Sequence, residues 1–229
     1  MSLAVVSFSG GLDSTVALAI AVDSYDEVVA LSADYGQRHT VELDAAARIA
    51  ARYGVRHHVV DLTGYGALTA SSLTSDEPIP HGLYDEENMA STVVPGRNAV
   101  FAMVATGLAE SLGGGDVILA VHGGDHTVYP DCRPEFLASA AATAELATEG
   151  AVTIDAPFIH MSKTDIVKLG ATHHAPLGET WSCYEGGRQH CGRCGTCTER
   201  KLAFHEAGVP DPTAYADATL YRHGQQVPA

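Results

Sequence analysis

The stretch "VVSFSGGLDSTVALA", Val5 to Ala19, runs from a short apolar segment into a helical pattern through two glycines set between serines. A strand that turns tightly into a helix gathers successive backbone N–H groups into a concave nest. The helix that follows adds the positive end of its dipole. Gly10 and Gly11 allow positive φ and close approach to an anion, and Ser9, Ser14 and Thr15 offer hydroxyls. Asp13 is unexpected there, because a carboxylate beside phosphate makes sense mainly with a bridging cation or a structural hydrogen bond. No Gly-Lys-Ser/Thr end follows, and the pattern is not G-x-G-x-x-G, so neither common phosphate loop applies. The plain alternative is a tight turn whose glycines serve packing.

Outward from this turn, strand and helix alternate. Short Val-, Ile- and Leu-rich runs at 3–8, 27–33, 55–60, 116–121 and 151–155 read as buried parallel strands. Helices are expected near 14–23, 40–53, 98–112, 134–149 and 163–171, with Thr40 and Asn98 as N-caps and Pro134 in a first turn. This pattern predicts an α/β fold with a doubly wound, mostly parallel sheet. Ligands in such folds bind beyond the carboxyl ends of the strands. The loops of interest are therefore "SGGLDS", "DYGQRH" and "HGGDHTVYPDCR". Residues 61–97 lack periodicity and read as a lid or a mobile surface.

Composition limits the class. The 229 residues are 46% hydrophobic and 18% charged, enough for one sizeable core. No apolar run approaches the roughly 18 residues of a membrane span, and no secretory leader is expected, which points to the cytoplasm. With 28 acidic and 13 basic residues the net charge is −15, a poor match to nucleic acid. Four of the five cysteines, Cys183, Cys191, Cys194 and Cys197, follow C-x7-C-x2-C-x2-C. That spacing supplies one tetrahedral zinc with four thiolates and no open position, which favours a structural metal. An iron–sulfur cluster or a redox pair in Cys194 and Cys197 are the alternatives. The expected organisation is a nucleotide-binding domain over 1–175 and a small C-terminal zinc-binding element over 176–229 packed on it.

"SGGLDS", Ser9 to Ser14, resembles the pyrophosphate-binding loop of the ATP pyrophosphatases, an adenine nucleotide alpha hydrolase-like fold. The resemblance implies that ATP, with Mg2+, is cut between its α- and β-phosphates. It places the nucleotide on Phe8, Ser9, Gly10, Gly11, Leu12, Asp13, Ser14, Thr15, Val16, Ala17 and Leu18. With "DYGQRH" (34–39), "VPGRN" (94–98), "YPDCRPEF" (129–136) and the cysteine cluster, the chain is similar to the 7-cyano-7-deazaguanine synthase family. The markers span nearly the whole chain. That family implies a C–N ligase of queuosine biosynthesis. It takes 7-carboxy-7-deazaguanine, ammonia, ATP and Zn2+, is commonly a homodimer, and uses no nucleic acid or membrane partner.

The chemistry asks for particular side chains. Adenylation turns a carboxylate oxygen into a leaving group, ammonia gives the amide, and a second adenylation of the amide oxygen leads to the nitrile. Asp13, Lys163 and Arg97 are the expected catalytic groups, with Lys163 meeting phosphate charge and Arg97 or Arg133 holding the carboxylate or α-phosphate. Asp131 is the expected reader of the guanine-like edge, with Asp125 and Glu135 as substitutes. Tyr35 through His39 are expected to line the nucleotide pocket, Cys132 to be a small buried side chain, and His122 and His126 carry no assigned role. Thr127-Val128 stands where that family often has Ser-Gly, in a loop expected to touch the substrate. Three other readings stay open: a related adenylating ligase that joins the acid to another amine, a tRNA sulfur-transfer enzyme, and a non-catalytic nucleotide-binding module kept for its fold.

Overall fold

The computed structural model describes residues 2–222 and 225–226. Five parallel strands form its sheet: β1 (Leu3–Ser7), β2 (Glu27–Asp34), β3 (Arg56–Asp61), β4 (Gly115–Ile118) and β5 (Val152–Asp155), ordered β3-β2-β1-β4-β5. The order reverses beside β1, which pairs with β2 on one side and β4 on the other. A crevice at this reversal, beyond the carboxyl ends of the strands, is where such sheets bind ligands.

Period-two alternation along β1 sorts the core into two layers. Ala4, Val6 and Phe8 point into a cluster with helices α1 (Leu12–Ser24), α2 (Val41–Tyr53) and α7 (Lys163–Thr172). Leu3 and Val5 point the other way, against α5 (Arg97–Ser111) and α6 (Pro134–Ala147). Helices on both faces explain why the central strands are apolar throughout rather than alternating. Helix α8 (Gly195–Ala207) delivers Ala203 and Phe204 to the same cluster as β1 and α1, so the C-terminal segment shares the core of the sheet. Among the described residues, no helix is long and apolar enough to cross a membrane.

Three local expectations need correction. Asn98 is not an N-cap: α5 starts at Arg97 behind Gly96, whose φ is +71°. The orphan N–H of Asn98 is instead met by the Asp131 carboxylate at 2.9 Å. Thr40 precedes α2 but already has helical angles, and its side chain makes no capping bond. Residues 61–97 form neither a bare lid nor a loose surface. They contain two short helices, α3 (Thr63–Gly66) and α4 (Glu86–Met89), and bury Leu73, Ile79, Met89 and Val94. Gly82 N–H donates to Arg193 O at 2.9 Å, which joins this segment to the cysteine region.

Candidate active site

The turn between β1 and α1 is shaped by contact as well as by φ. Gly10 has φ +78°, and a Cβ on it would lie 2.5 Å from Ala46 N and 2.6 Å from Glu42 O. Only glycine lets α2 pack this closely behind the turn. Ser9 and Ser14 fasten its rim: Ser9 N–H donates to Ser14 Oγ at 3.3 Å, and Gly11 N–H donates to Ser9 Oγ at 3.2 Å. The first N–H groups of α1 have no intrahelical partner, the arrangement that favours an anion at a helix N-terminus. Phe8, Ser9, Gly11, Leu12, Asp13 and Ser14 line a cavity of about 210 Å³. Gly10 and Thr15 lie behind that wall. Val16, Ala17 and Leu18, expected on the nucleotide, are buried in the apolar cluster and do not reach it.

Lys163 enters the cavity from the start of α7, which a capping box fixes: Ser162 Oγ accepts Asp165 N–H at 3.2 Å, and Asp165 Oδ2 accepts Ser162 N–H at 3.1 Å. Its ammonium lies 3.2 Å from Asp13 Oδ2 and 2.6 Å from Glu199 Oε2. Burial alone would favour neutral lysine, but Asp13, Glu199 and Asp125 outweigh it and hold the pKa above the ordinary range. Lys163 is therefore a fixed positive charge beside the nest. Asp13 Oδ1 is buried without a hydrogen-bond partner, so this oxygen has capacity for a further ligand. Asp125 lines the same end and accepts the Tyr84 hydroxyl at 2.8 Å.

Much of the remaining lining is aromatic. The Arg97 guanidinium sits 5.9 Å from the ring centroids of both Tyr35 and Tyr129. Beside it, Glu42 Oε1 accepts a Gln37 amide N–H at 3.0 Å and lies 3.5 Å from His39 Nε2. Burial pushes Glu42 up to about 7, against the opposing Gln37 hydrogen bond and Arg97 charge. Burial, with Arg97 and Arg38 adding to it, pulls His39 down to about 3, so the imidazole is neutral.

Some expected residues stay outside. Asp131 is spent on Asn98, accepting its backbone N–H, and does not line the cavity. Arg133 is exposed and donates through Nε to His126 O at 2.8 Å. Glu135 is exposed on α6. Of the three carboxylates considered for the guanine-like edge, only Asp125 reaches the wall. Thr127 is exposed and Val128 is packed with Met89 and Tyr129, so that variation does not touch the cavity. Sequence reasoning passed over Glu42, Glu199, Tyr84 and Tyr184. Glu42, Glu199 and Tyr184 were signalled only by proximity to "DYGQRH" or to the cysteine cluster, and Tyr84 by neither.

The sulfurs of Cys183, Cys191, Cys194 and Cys197 lie within 4.8 Å of one another, near the about 3.8 Å edge of a tetrahedron with 2.3 Å metal–sulfur bonds. Backbone N–H groups of Cys191, Arg193 and Cys194 point at these sulfurs at 3.2–3.3 Å, which favours thiolates. The four cysteines thus fit a metal ion with no vacancy. Trp181 connects this group to the nest: its backbone N–H donates to Gly10 O at 2.9 Å, and its indole donates to Cys183 O at 2.8 Å.

The sheet order, the glycine nest and the lysine beside it define a nucleotide-binding α/β protein of the PP-loop class. A family model described as queuosine biosynthesis protein QueC matches residues 3–208, and the chain belongs to that family. The 7-cyano-7-deazaguanine synthase of Paracoccus denitrificans is 53% identical over 222 residues, covering 95% of each chain. The enzyme of that name from Agrobacterium fabrum is 54% identical over 221 residues, covering 95% of this chain and 93% of its own. The structure of NMN synthetase from Francisella tularensis superposes with a TM-score of 0.52 at 17% identity, covering 90% of this chain and 77% of that one, a likeness of fold.

Proposed function

We propose that this chain converts 7-carboxy-7-deazaguanine and ammonia to 7-cyano-7-deazaguanine, activating the acid and then the amide with ATP. The observation that carries this reading is one cavity lined both by the α1 nest with Lys163 and by Arg97 with its tyrosines. A substrate carboxylate held near Arg97 presents an oxygen to the α-phosphorus, while the nest and Lys163 take up charge on the leaving pyrophosphate. Attack forms the acyl adenylate. Ammonia then adds to the acyl carbon, and the C–O bond to AMP breaks to leave the amide. In the second round the amide oxygen attacks the α-phosphorus of another ATP, and loss of AMP from carbon leaves the C≡N bond.

Asp13, whose inner oxygen lacks a protein partner, is the residue we assign to Mg2+, which would neutralise phosphate charge when bound with the nucleotide. The four cysteines are assigned to zinc, as structural thiolate sites with no open position are. The cytoplasm is the compartment we assign, because four clustered cysteines placed for a metal rather than for disulfides suit a reducing environment. Incubation of the protein with ATP, ammonia and the acid tests the reading: nitrile, AMP and pyrophosphate are the expected products. Adenylation that ends at an amide, or at an adduct with a different amine, would transfer the chain to a related ligase. Sulfur transfer to tRNA is disfavoured by the net charge of −15.

A further inference from the structure

We infer that Glu42 is the general base that takes the protons nitrogen must shed as ammonia becomes amide and amide becomes nitrile. The inference rests on the proposed reaction. Ammonia attacking the acyl carbon forms a C–N bond and leaves nitrogen with a surplus proton. The carbonyl electron pair moves to oxygen and returns to expel AMP, and the proton passes to a carboxylate and then to solvent. In the second stage the amide nitrogen sheds one proton as its oxygen is adenylated, leaving a C=N bond, and gives up its last as the C–O bond to AMP breaks and the third C–N bond forms. A base near the acyl carbon serves both stages.

Three carboxylates line the cavity, Asp13, Glu42 and Asp125. Asp13 faces Lys163 at 3.2 Å, and Asp125 accepts the Tyr84 hydroxyl at 2.8 Å on the same phosphate-facing side. Glu42 lines the cavity within reach of the charge of Arg97, the residue to which the proposed reaction assigns the substrate carboxylate. It is fixed for this task. Gln37 donates to one oxygen and is itself held, because its carbonyl accepts the Tyr35 N–H at 2.9 Å and its amide also donates to Ala33 O at 3.2 Å. The groups facing the Glu42 carboxylate are Gln37, His39 and Tyr35 from the loop after β2 and Arg97 from α5. None of these is a competing base: His39 is neutral with its pKa pulled far down, and Tyr35 is pushed up chiefly by burial. Burial also brings Glu42 to about 7, where a general base works best at neutral pH.

Glu42→Gln tests this with two readouts. Acid-dependent exchange of labelled pyrophosphate into ATP reports adenylation, and amide plus nitrile formation reports the nitrogen steps. The inference predicts exchange within about threefold of wild type and ammonia-dependent product down by roughly 100-fold or more. With the concentration of free NH3 held constant across the pH range, the wild-type rate should rise with pH through an apparent pKa near 7, and the variant should lack that limb. Hydroxylamine, a less basic nucleophile that sheds its proton more readily, should restore turnover preferentially in the variant. Three results would overturn the inference: equal loss of exchange and product, which makes Glu42 a structural prop; a raised KM for the acid alone, which makes it a reader of the substrate; and an unchanged pH profile. Wild-type protein with no acid-dependent exchange would instead remove the proposed function itself, and the inference with it.

Discussion

At the scale of single residues, the turn after β1 separates two reasons for glycine. Gly10 has φ +78° and backbone atoms within 3 Å of any Cβ, whereas Gly36 has φ +77° and nothing within 4 Å. Gly36→Ala should therefore cost about 1 kcal/mol and Gly10→Ala roughly 2–4 kcal/mol, a difference that thermal melts will resolve. Lys163→Met leaves Asp13 and Glu199 without the cation between them. We expect about 3 kcal/mol of destabilisation and a loss of roughly 100-fold in kcat/KM for ATP, measured by pyrophosphate exchange. Glu42 carries a pH signature in stability. Its folded pKa of about 7 lies above the ordinary 4.5, so the folded state holds the proton more tightly and stability from this group falls as pH rises through 7. Glu42→Gln should then exceed wild type by about 3 kcal/mol above pH 7 and match it below pH 4.5, as denaturant titrations at both pH values will show. The role of Glu42 was not legible in the sequence, because an acid in the first turn of a helix ordinarily complements the dipole. Glu199 was hidden in the same way, within the charged run "TERK".

At the scale of elements, the cysteine group and α8 act as a clamp on the nest. Arg200 is buried and donates to Thr180 Oγ1 at 2.7 Å, Leu177 O at 2.7 Å and Thr213 Oγ1 at 2.9 Å, tying two loops to α8. Trp181 carries the connection from Cys183 to Gly10. Metal binding is coupled to folding, so Cys194→Ser should lose the metal, melt at lower temperature and bind ATP more weakly. Metal analysis, thermal melts and an ATP titration check the three effects; unchanged ATP affinity would show that the clamp does not reach the nest. The cysteine spacing was fully readable because ligand geometry is local. The start of α5 was not, because its cap comes from Asp131, 33 residues away in sequence. The packing of 61–97 was hidden for a related reason. Its buried side chains meet the cysteine segment and α5 rather than repeating along one helix face.

For the whole molecule, the alternation of short apolar runs with helical stretches was sufficient to give a doubly wound sheet, since parallel strands covered on both faces leave a plain apolar signature. Strand order and the reversal beside β1 required the structure, because each strand carries nearly the same signal. The reversal gathers residues from eight separate stretches, among them Ser9, Glu42, Tyr84, Arg97, Asp125 and Lys163, into one cavity. In the proposed reaction the nest holds the departing diphosphate while the acid receives the adenylyl group. Substrate acid labelled with oxygen-18 in its carboxylate tests it most directly. As each C–O bond breaks on the path to the nitrile, its oxygen must leave with the nucleotide. Mass spectrometry is therefore predicted to find the label in AMP and none in pyrophosphate or orthophosphate. Label in orthophosphate, with ADP as the nucleotide product, would contradict the account, because the phosphate transferred would then be the terminal one.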